Sequence, residues 1–247
     1  MERRNKIRLD RFVVEQGLAA SREKAQALIL AGTILVDGQK QDKCGALVSA
    51  QSAVRLIGEP PRYVSRGGLK LEGALDHFQV DPSGRTCLDL GASTGGFSDC
   101  LLRRGAAQVF AVDAGTNQLD WKLRQDPRVV VLEKTNARYL AFDRIGTRVD
   151  LVTMDVSFIS ATLILPALVP LLASPAELLV LVKPQFEVGK GEVGKGGIVR
   201  DPALHQQAVA RVSGKLLELG FSQLASSESP ILGAEGNREF FVHAVWK

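Results

Sequence analysis

Apolar positions recur along the chain with two different periods, and the change of period divides it. In the first 57 residues, Leu9, Phe12 and Val13 fall at helical spacing, and Ala25, Leu28 and Ile29 repeat that spacing after Ser21. Ser21 predicts a helix start, because a hydroxyl oxygen there can accept from a free backbone N–H of the first turn, and Gly32 predicts the stop. Residues 33–36 then form an apolar-rich run followed by Asp37-Gly38, a pair that suits the positive φ angles of a two-residue hairpin. Past a stiff stretch centred on Pro60-Pro61, short apolar runs at 87–90, 109–112, 129–132, 151–154 and 178–182 alternate with helical or mixed segments. A long helix over about 203–219 and a final strand pair near 221–226 and 239–245 complete the pattern. The prediction is a Rossmann-like α/β domain over 64–247, its sheet mostly parallel with an antiparallel last strand. A small N-terminal α+β domain over 1–58 precedes it, joined by a linker at 59–63.

Charge sharpens that division. Residues 1–70 hold 13 Lys and Arg against 7 Asp and Glu, whereas the remainder holds 18 against 20, so the basic character belongs to the small domain and suits a polyanion. The other composition signals narrow the class. Cys44, Cys87 and Cys100 show no CxxC spacing, which points to reduced thiols in a cytoplasm, and His77, His205 and His243 have no metal-ligand spacing, so no metal is expected. Arg3, Arg4, Lys6, Arg8 and Arg11 open the chain without an apolar run behind them, unlike a signal peptide. The apolar stretch 163–182 is interrupted by Pro166, Pro170, Pro175 and Glu177, so a buried helix, a turn and a core strand explain it better than a membrane span. Whether the protein is a monomer or a dimer stays open.

The densest chemical signal is the strand, glycine turn and helix over 88–97. Gly91, Ser93, Gly95, Gly96 and Phe97 are placed there to bring backbone against a nucleotide-like ligand at the helix start. Asp113 ends the next strand about twenty residues on, where a carboxylate can take both ribose hydroxyls. The turn is G-x-S-x-G-G rather than G-x-G-x-x-G, so it favours S-adenosylmethionine (SAM) over a pyrophosphate-bearing cofactor. Asn136, just past the third strand, is a candidate for the adenine edge, with a plain turn residue as the alternative. Two other motifs compete. Gly91 to Gly95 also spells a hydrolase elbow with Ser93 as nucleophile and His205 or His243 as base, but it follows the domain's first strand. Residues 189–196 spell a phosphate loop that lacks its Ser or Thr, and 189–197 is read instead as a mobile substrate loop carrying Lys190 and Lys195 to RNA phosphates. Finally Lys70, Asp155, Lys183 and Glu239 stand at element ends, and Asp155 and Lys183 terminate parallel strands on the edge where ligand sites form.

Two resemblances build on these residues. The series Arg8-Leu9-Asp10, Ser21-Arg22, Ala31-Gly32 and Val36-Asp37-Gly38 resembles the small RNA-binding fold named after ribosomal protein S4, which implies that its two helices present Arg8, Arg11, Arg22 and Lys24 to RNA. Nearly the whole chain is similar to the TlyA or hemolysin-A-like family, which joins that fold to an FtsJ-like 2′-O-methyltransferase. The resemblance rests on Ser65-Arg66-Gly67-Gly68-Leu69-Lys70-Leu71, the 91–97 turn, Asp155-Val156-Ser157-Phe158-Ile159-Ser160 and Lys183-Pro184-Gln185-Phe186-Glu187. It implies a Lys-Asp-Lys-Glu catalytic tetrad on Lys70, Asp155, Lys183 and Glu239, an RNA contact at Arg66, and cytidine ribose in rRNA of one or both ribosomal subunits as target. Lys183 is the candidate general base, Lys70 stabilises the developing oxyanion, and the two carboxylates position them. Two rival functions are weighed: a membrane-acting protein, as the hemolysin label suggests, and a ribosome-assembly factor with a vestigial site.

Overall fold

A computed structural model describes residues 6–57, 61–233 and 236–247. Arg3, Arg4 and the first two residues of the expected linker, 59–60, lie outside them. The chain divides into two compact units, residues 1–60 and 61–247, each taken by itself below.

The N-terminal unit runs β1 (Lys6–Arg8), α1 (Leu9–Glu15), α2 (Arg22–Leu30), β2 (Ile34–Val36), β3 (Gln39–Lys40), β4 (Leu47–Ser49) and β5 (Val54–Leu56). Its core forms where the helical spacing requires: Leu9, Phe12 and Val13 of α1 and Ala25 and Ile29 of α2 close on Ile34, Val36 and Val48. Ser21 Oγ accepts from Lys24 N at 3.3 Å and caps α2. Asp37 and Gly38 take φ angles of 50° and 83°, and β2 and β3 pair antiparallel across them as the expected hairpin. One expectation is corrected: Arg8 is not helical but closes β1, its extended backbone forming the N-cap of α1.

The larger unit begins with α3 (Gly67–Phe78), β6 (Thr86–Leu90), α4 (Gly96–Arg103), β7 (Gln108–Val112), α5 (Trp121–Arg124), β8 (Val129–Leu132), α6 (Phe142–Ile145) and β9 (Val149–Met154). It continues with α7 (Leu165–Leu168), β10 (Leu172–Val182), α8 (Pro184–Glu187), α9 (Pro202–Glu218), β11 (Ser222–Glu228) and β12 (Phe240–Trp246). The seven strands lie in the order β11-β12-β10-β9-β6-β7-β8, parallel from β10 to β8, with β12 antiparallel to both β10 and β11. Both faces are covered: α3 and α4 supply Leu71, Leu75, Cys100 and Leu101 to one core, while α7 and α9 supply Leu165, Leu168, Val212 and Leu216 to the other. β10 starts six residues earlier than the periodicity suggests. Its pairing with β9 shifts register between Leu172 and Glu177, around Pro175, which has no N–H to give a ladder, so the alternation that would reveal a strand is broken there.

Register then decides where chemistry can gather. Leu90 pairs with Val112 and Met154, Val112 with Leu132, and Met154 with Val180, so the carboxyl ends of β6 to β10 share one rim. Gly91, Asp113, Asp155 and Lys183 follow those ends. Phe240 pairs with Val182, so the reversed β12 delivers Glu239, one residue before its start, to the same rim. Among the described residues no helix is long and apolar enough to cross a membrane.

Candidate active site

The glycine turn after β6 is shaped by neighbours within the protein. Gly91 has φ 81°, and a Cβ there would stand 2.3 Å from Asp155 O; one on Gly96 would stand 2.2 Å from Ser65 Oγ. Gly95, at φ 97°, caps α4 and lies against Leu119 and Leu123. These glycines let β9, α3 and the α5 segment approach, and Gly91 and Gly96 also border a cavity. Asp113 fastens the same turn, accepting from Ser93 N at 2.8 Å and Gly115 N at 2.7 Å. Each of its oxygens keeps a second lone pair for a hydroxyl. Gly91, Ser93, Asp113, Gln118, Asn136 and Phe158 are among the residues around a 470 Å³ cavity. Asn136 Oδ1 accepts from Arg138 N at 3.0 Å, which turns the side chain toward its own backbone. Phe97 borders a neighbouring 340 Å³ cavity, but its ring is a core group stacked on Phe241 at 6.1 Å.

The four charged residues come together as two lysine–carboxylate pairs. Lys70 Nζ donates to Glu239 Oε2 at 2.5 Å, with the side chains only 11% and 4% exposed. Lys183 Nζ stands 2.6 Å from Asp155 Oδ1 and donates to Ser157 Oγ at 2.7 Å. Asp155 Oδ1 is buried and has no aligned hydrogen bond, so the lysine meets it as a charge and a lone pair is left over. Lys70 and Asp155 border the cavity next to the glycine turn, and Lys183 and Glu239 border a further 340 Å³ cavity with Ser157, Gln185 and Phe186. Each pair thus has one member on either cavity, Lys70 and Asp155 on the first and Glu239 and Lys183 on the second.

Sequence reading missed three supports of this site. Ser157 holds Lys183, although it stands in the quoted Asp155-Val156-Ser157 run. Asp89, fully buried on β6, accepts from Ser98 Oγ at 2.6 Å and Thr153 Oγ1 at 3.0 Å, tying α4 and β9 together beneath the turn. Burial pushes its carboxyl up to about 7, against the two hydroxyls that favour the ionised form. A lone Asp inside an apolar strand was the available signal. Asn237, also buried, accepts from Val199 N and donates to Gly197 O, fastening one end of the 189–197 segment. That segment is two short 3₁₀ turns with neither a strand leading in nor a helix directly following, so the phosphate-loop spelling has no matching structure. The hydrolase elbow fails as well: Ser93 Oγ bonds Gln118, whereas the His205 ring bonds Val199 O and His243 bonds Glu177.

Of the candidate RNA contacts in this unit, Arg66 donates to Leu232 O at 3.2 Å and Lys195 is exposed, while the Lys190 side chain lies outside the described part of the structure. In the N-terminal unit a residue that sequence reading gave no role organises the basic face. Asp10 is fully buried and takes Arg8 through both oxygens at 3.1 and 2.9 Å, Arg22 at 2.9 Å and Gln26 at 3.0 Å. The Arg8 guanidinium is the main cause that holds its carboxyl well below the usual range. Arg11 pairs loosely with Glu15 at 3.8 Å, and Lys24 is exposed.

A doubly wound sheet with an antiparallel terminal hairpin, a glycine turn at its first strand and charged pairs on the same rim defines a Rossmann-like domain with a candidate ligand site at its carboxyl rim. Comparison with known proteins gives the family. Residues 63–246 match the FtsJ-like methyltransferase family and residues 7–52 the S4 domain, and the chain belongs to the FtsJ-like methyltransferases. It is 50% identical to the 16S/23S rRNA (cytidine-2′-O)-methyltransferase TlyA of Mycobacterium tuberculosis, over 96% of this chain and 89% of that one. It is 40% identical to Hemolysin A of Brachyspira hyodysenteriae, over 97% and 100% of the two chains. A solved structure from Streptococcus thermophilus, named as a candidate hemolysin, is 44% identical with a TM-score of 0.76, over 97% of this chain and 88% of that one.

Proposed function

We propose that this protein transfers a methyl group from SAM to the ribose 2′-hydroxyl of a cytidine in ribosomal RNA, in one or both subunits, and works in the cytoplasm. The observation that carries the reading is the rim on which two lysine–carboxylate pairs open beside the cavity keyed by Asp113. The residues fit SAM. The 470 Å³ space lies within the about 300–1,000 Å³ usual for small-molecule sites, Asp113 keeps acceptors for ribose hydroxyls, and Gly91 and Ser93 lie between it and the tetrad. The 50% identity to a named rRNA cytidine-2′-O-methyltransferase supports the substrate.

When bound, SAM supplies an electrophilic methyl on a positively charged sulfur. The chain's own residues do the rest. Lys183 Nζ takes the proton of the 2′-hydroxyl, and Ser157 Oγ and Asp155 hold that nitrogen in place. Lys70, fixed by Glu239, faces the oxygen as negative charge grows on it. Arg8, Arg11, Arg22 and Lys24 of the S4 unit, with Arg66, Lys190 and Lys195, bind RNA phosphates.

The test is methylation of each purified ribosomal subunit with labelled SAM, followed by mapping of ribose-methylated positions. Lys183→Ala is expected to cut transfer by about 10²–10⁴-fold while calorimetry still shows SAM binding. Label on neither subunit would overturn the function, and full activity in the variant would overturn the base assignment.

A further inference from the structure

Apart from the tetrad and its cavities, the most unusual surface lies at the β8 edge of the sheet. The loops after β7 and β8 are stitched together there: Lys134 N donates to Gly115 O at 3.1 Å, Thr135 N to Asp113 O at 3.0 Å, and Gln118 N to the Glu133 carboxylate at 3.3 Å. From these joined loops Trp121 is 68% exposed and Tyr139 is 73% exposed. The Arg138 guanidinium lies 5.6 Å over the Tyr139 ring, Lys122 is exposed next to Trp121 in sequence, and Lys134 is exposed at the start of the segment that leads to Tyr139. The acids of the same segments are largely occupied. Glu133 pairs with Arg124, Asp126 with Arg128, and Asp120 caps α5 through Lys122 N, while Asp143 sits in the first turn of α6, where the helix dipole favours it. Among the described residues Lys122, Lys134 and Arg138 form no salt bridge, so three cations stay available in the segments that carry the two exposed rings. Thr135, Asn136 and Ala137, which lead directly into Tyr139, border the same cavity as Asp113 and Asp155.

We propose that this edge is a docking surface for a single-stranded stretch of RNA next to the target nucleotide. Its bases stack on Trp121 and Tyr139, and its phosphates meet Lys122, Lys134 and Arg138. Exposed aromatics interleaved with cations match a chain that alternates flat bases with anionic links, and stacking tolerates any base because each has a π-face. The surface of a protein partner offers no such alternation. The inference rests on RNA being the substrate, and it explains how a small basic S4 unit need not carry all of the recognition.

The test uses the full chain and an unstructured oligoribonucleotide of about twelve nucleotides, within the site sizes known for single-strand binders. Titration is expected to quench tryptophan emission, and in Trp121→Phe, where Trp246 is the single tryptophan left of 2, the quench disappears. Trp121→Ala and Tyr139→Ala are each expected to raise KM for ribosomal subunits about tenfold, with kcat and SAM affinity unchanged, and Trp121→Phe to recover most of the loss by keeping a stacking face. Wild-type KM in both alanine variants would overturn the proposal. So would a raised KM for intact subunits with no quench by the oligoribonucleotide, which would mark a ribosomal-protein contact instead. Quenching by RNA in a chain that methylates neither subunit would uphold the docking surface while sinking the proposed reaction.

Discussion

Both units set carboxylates against cations, but with opposite exposure. In the larger unit Lys70 and Lys183 are close to buried with their acids, at 11% and 12% side-chain exposure. In the S4 unit Asp10 is wholly covered while its partners Arg8 and Arg22 remain 45% and 50% exposed. The residue types match the difference. A lysine amino group is a compact charge that can give a proton as ammonium or take one as amine, which suits a closed site. A guanidinium has five donors, so Arg8 can spend two on Asp10 and still present others to a phosphate. One arrangement encloses charge, and the other splays charge outward from a buried anchor.

The comparison breaks most visibly if a buried pair is halved. Glu239→Ala leaves Lys70 with its charge in a nearly closed pocket, a change that costs about 3–5 kcal/mol in comparable pairs. Denaturant unfolding of the variant is expected to show a loss of that size, together with a collapse of methyl transfer. Glu239→Gln, which keeps shape and one acceptor, is expected to recover much of the stability but not the activity. Equal unfolding midpoints for wild type and Glu239→Ala would show that the pair is wet rather than enclosed.

A smaller effect separates the two units by pH. Asp89 has its carboxyl pushed up to about 7 by burial, so the folded chain holds a proton that the unfolded chain releases. Its contribution is therefore most favourable below the ordinary carboxyl range near 4, declines as pH rises toward 7, and is flat beyond. The decline can reach about 1.4 kcal/mol per pH unit. Glu187 is also raised by burial and adds a slope of the same sign, so the difference between wild type and Asp89→Asn isolates Asp89. Unfolding curves at pH 5 and 7 are expected to show wild type gaining on the variant as pH falls. Parallel curves would mean that Ser98 and Thr153 already stabilise the ionised form.

Residues whose role is set by neighbours in sequence were legible in advance. The turn at 91–97, the Asp37-Gly38 hairpin and the Ser21 cap depend on local backbone geometry, which composition signals directly. The shared rim of Asp155, Lys183 and Glu239 was also legible, because each stands next to a strand end and strand direction assigns an edge, whereas Lys70 comes from the first turn of α3. What stayed hidden depends on contacts across the fold. Nothing local shows that Gly91 is there for Asp155 O, that Asp10 gathers residues from both helices, or that Ser157 holds Lys183. Nor does anything local show that the Phe97 ring, which borders the cavity, stacks on Phe241, a residue far along the chain. The early start of β10 was hidden for a local reason, since Pro175 interrupts the pattern on which recognition of a strand depends.

The smallest effect discriminates most sharply, because two physical accounts of Asp10 give it opposite signs. Asp10→Asn removes one negative charge from a basic face. If the face bound RNA by net charge alone, the variant would bind more tightly and its salt dependence would steepen. If Asp10 instead holds Arg8 and Arg22 in a fixed fan, losing the charge releases two long side chains that must be reordered on binding, and affinity falls a few-fold with a shallower salt slope. The second outcome is expected, because Arg8 meets both carboxylate oxygens and Arg22 shares one of them with Gln26. Folding stability is expected to drop little, since half-exposed guanidiniums are well screened. What stability the pair gives is present above the ordinary carboxyl range and is lost as pH falls through the depressed value of Asp10, the reverse of the Asp89 trend. RNA affinity measured across salt concentrations for wild type and Asp10→Asn decides between the accounts, and tighter binding by the variant would reduce Asp10 to an ordinary buried charge.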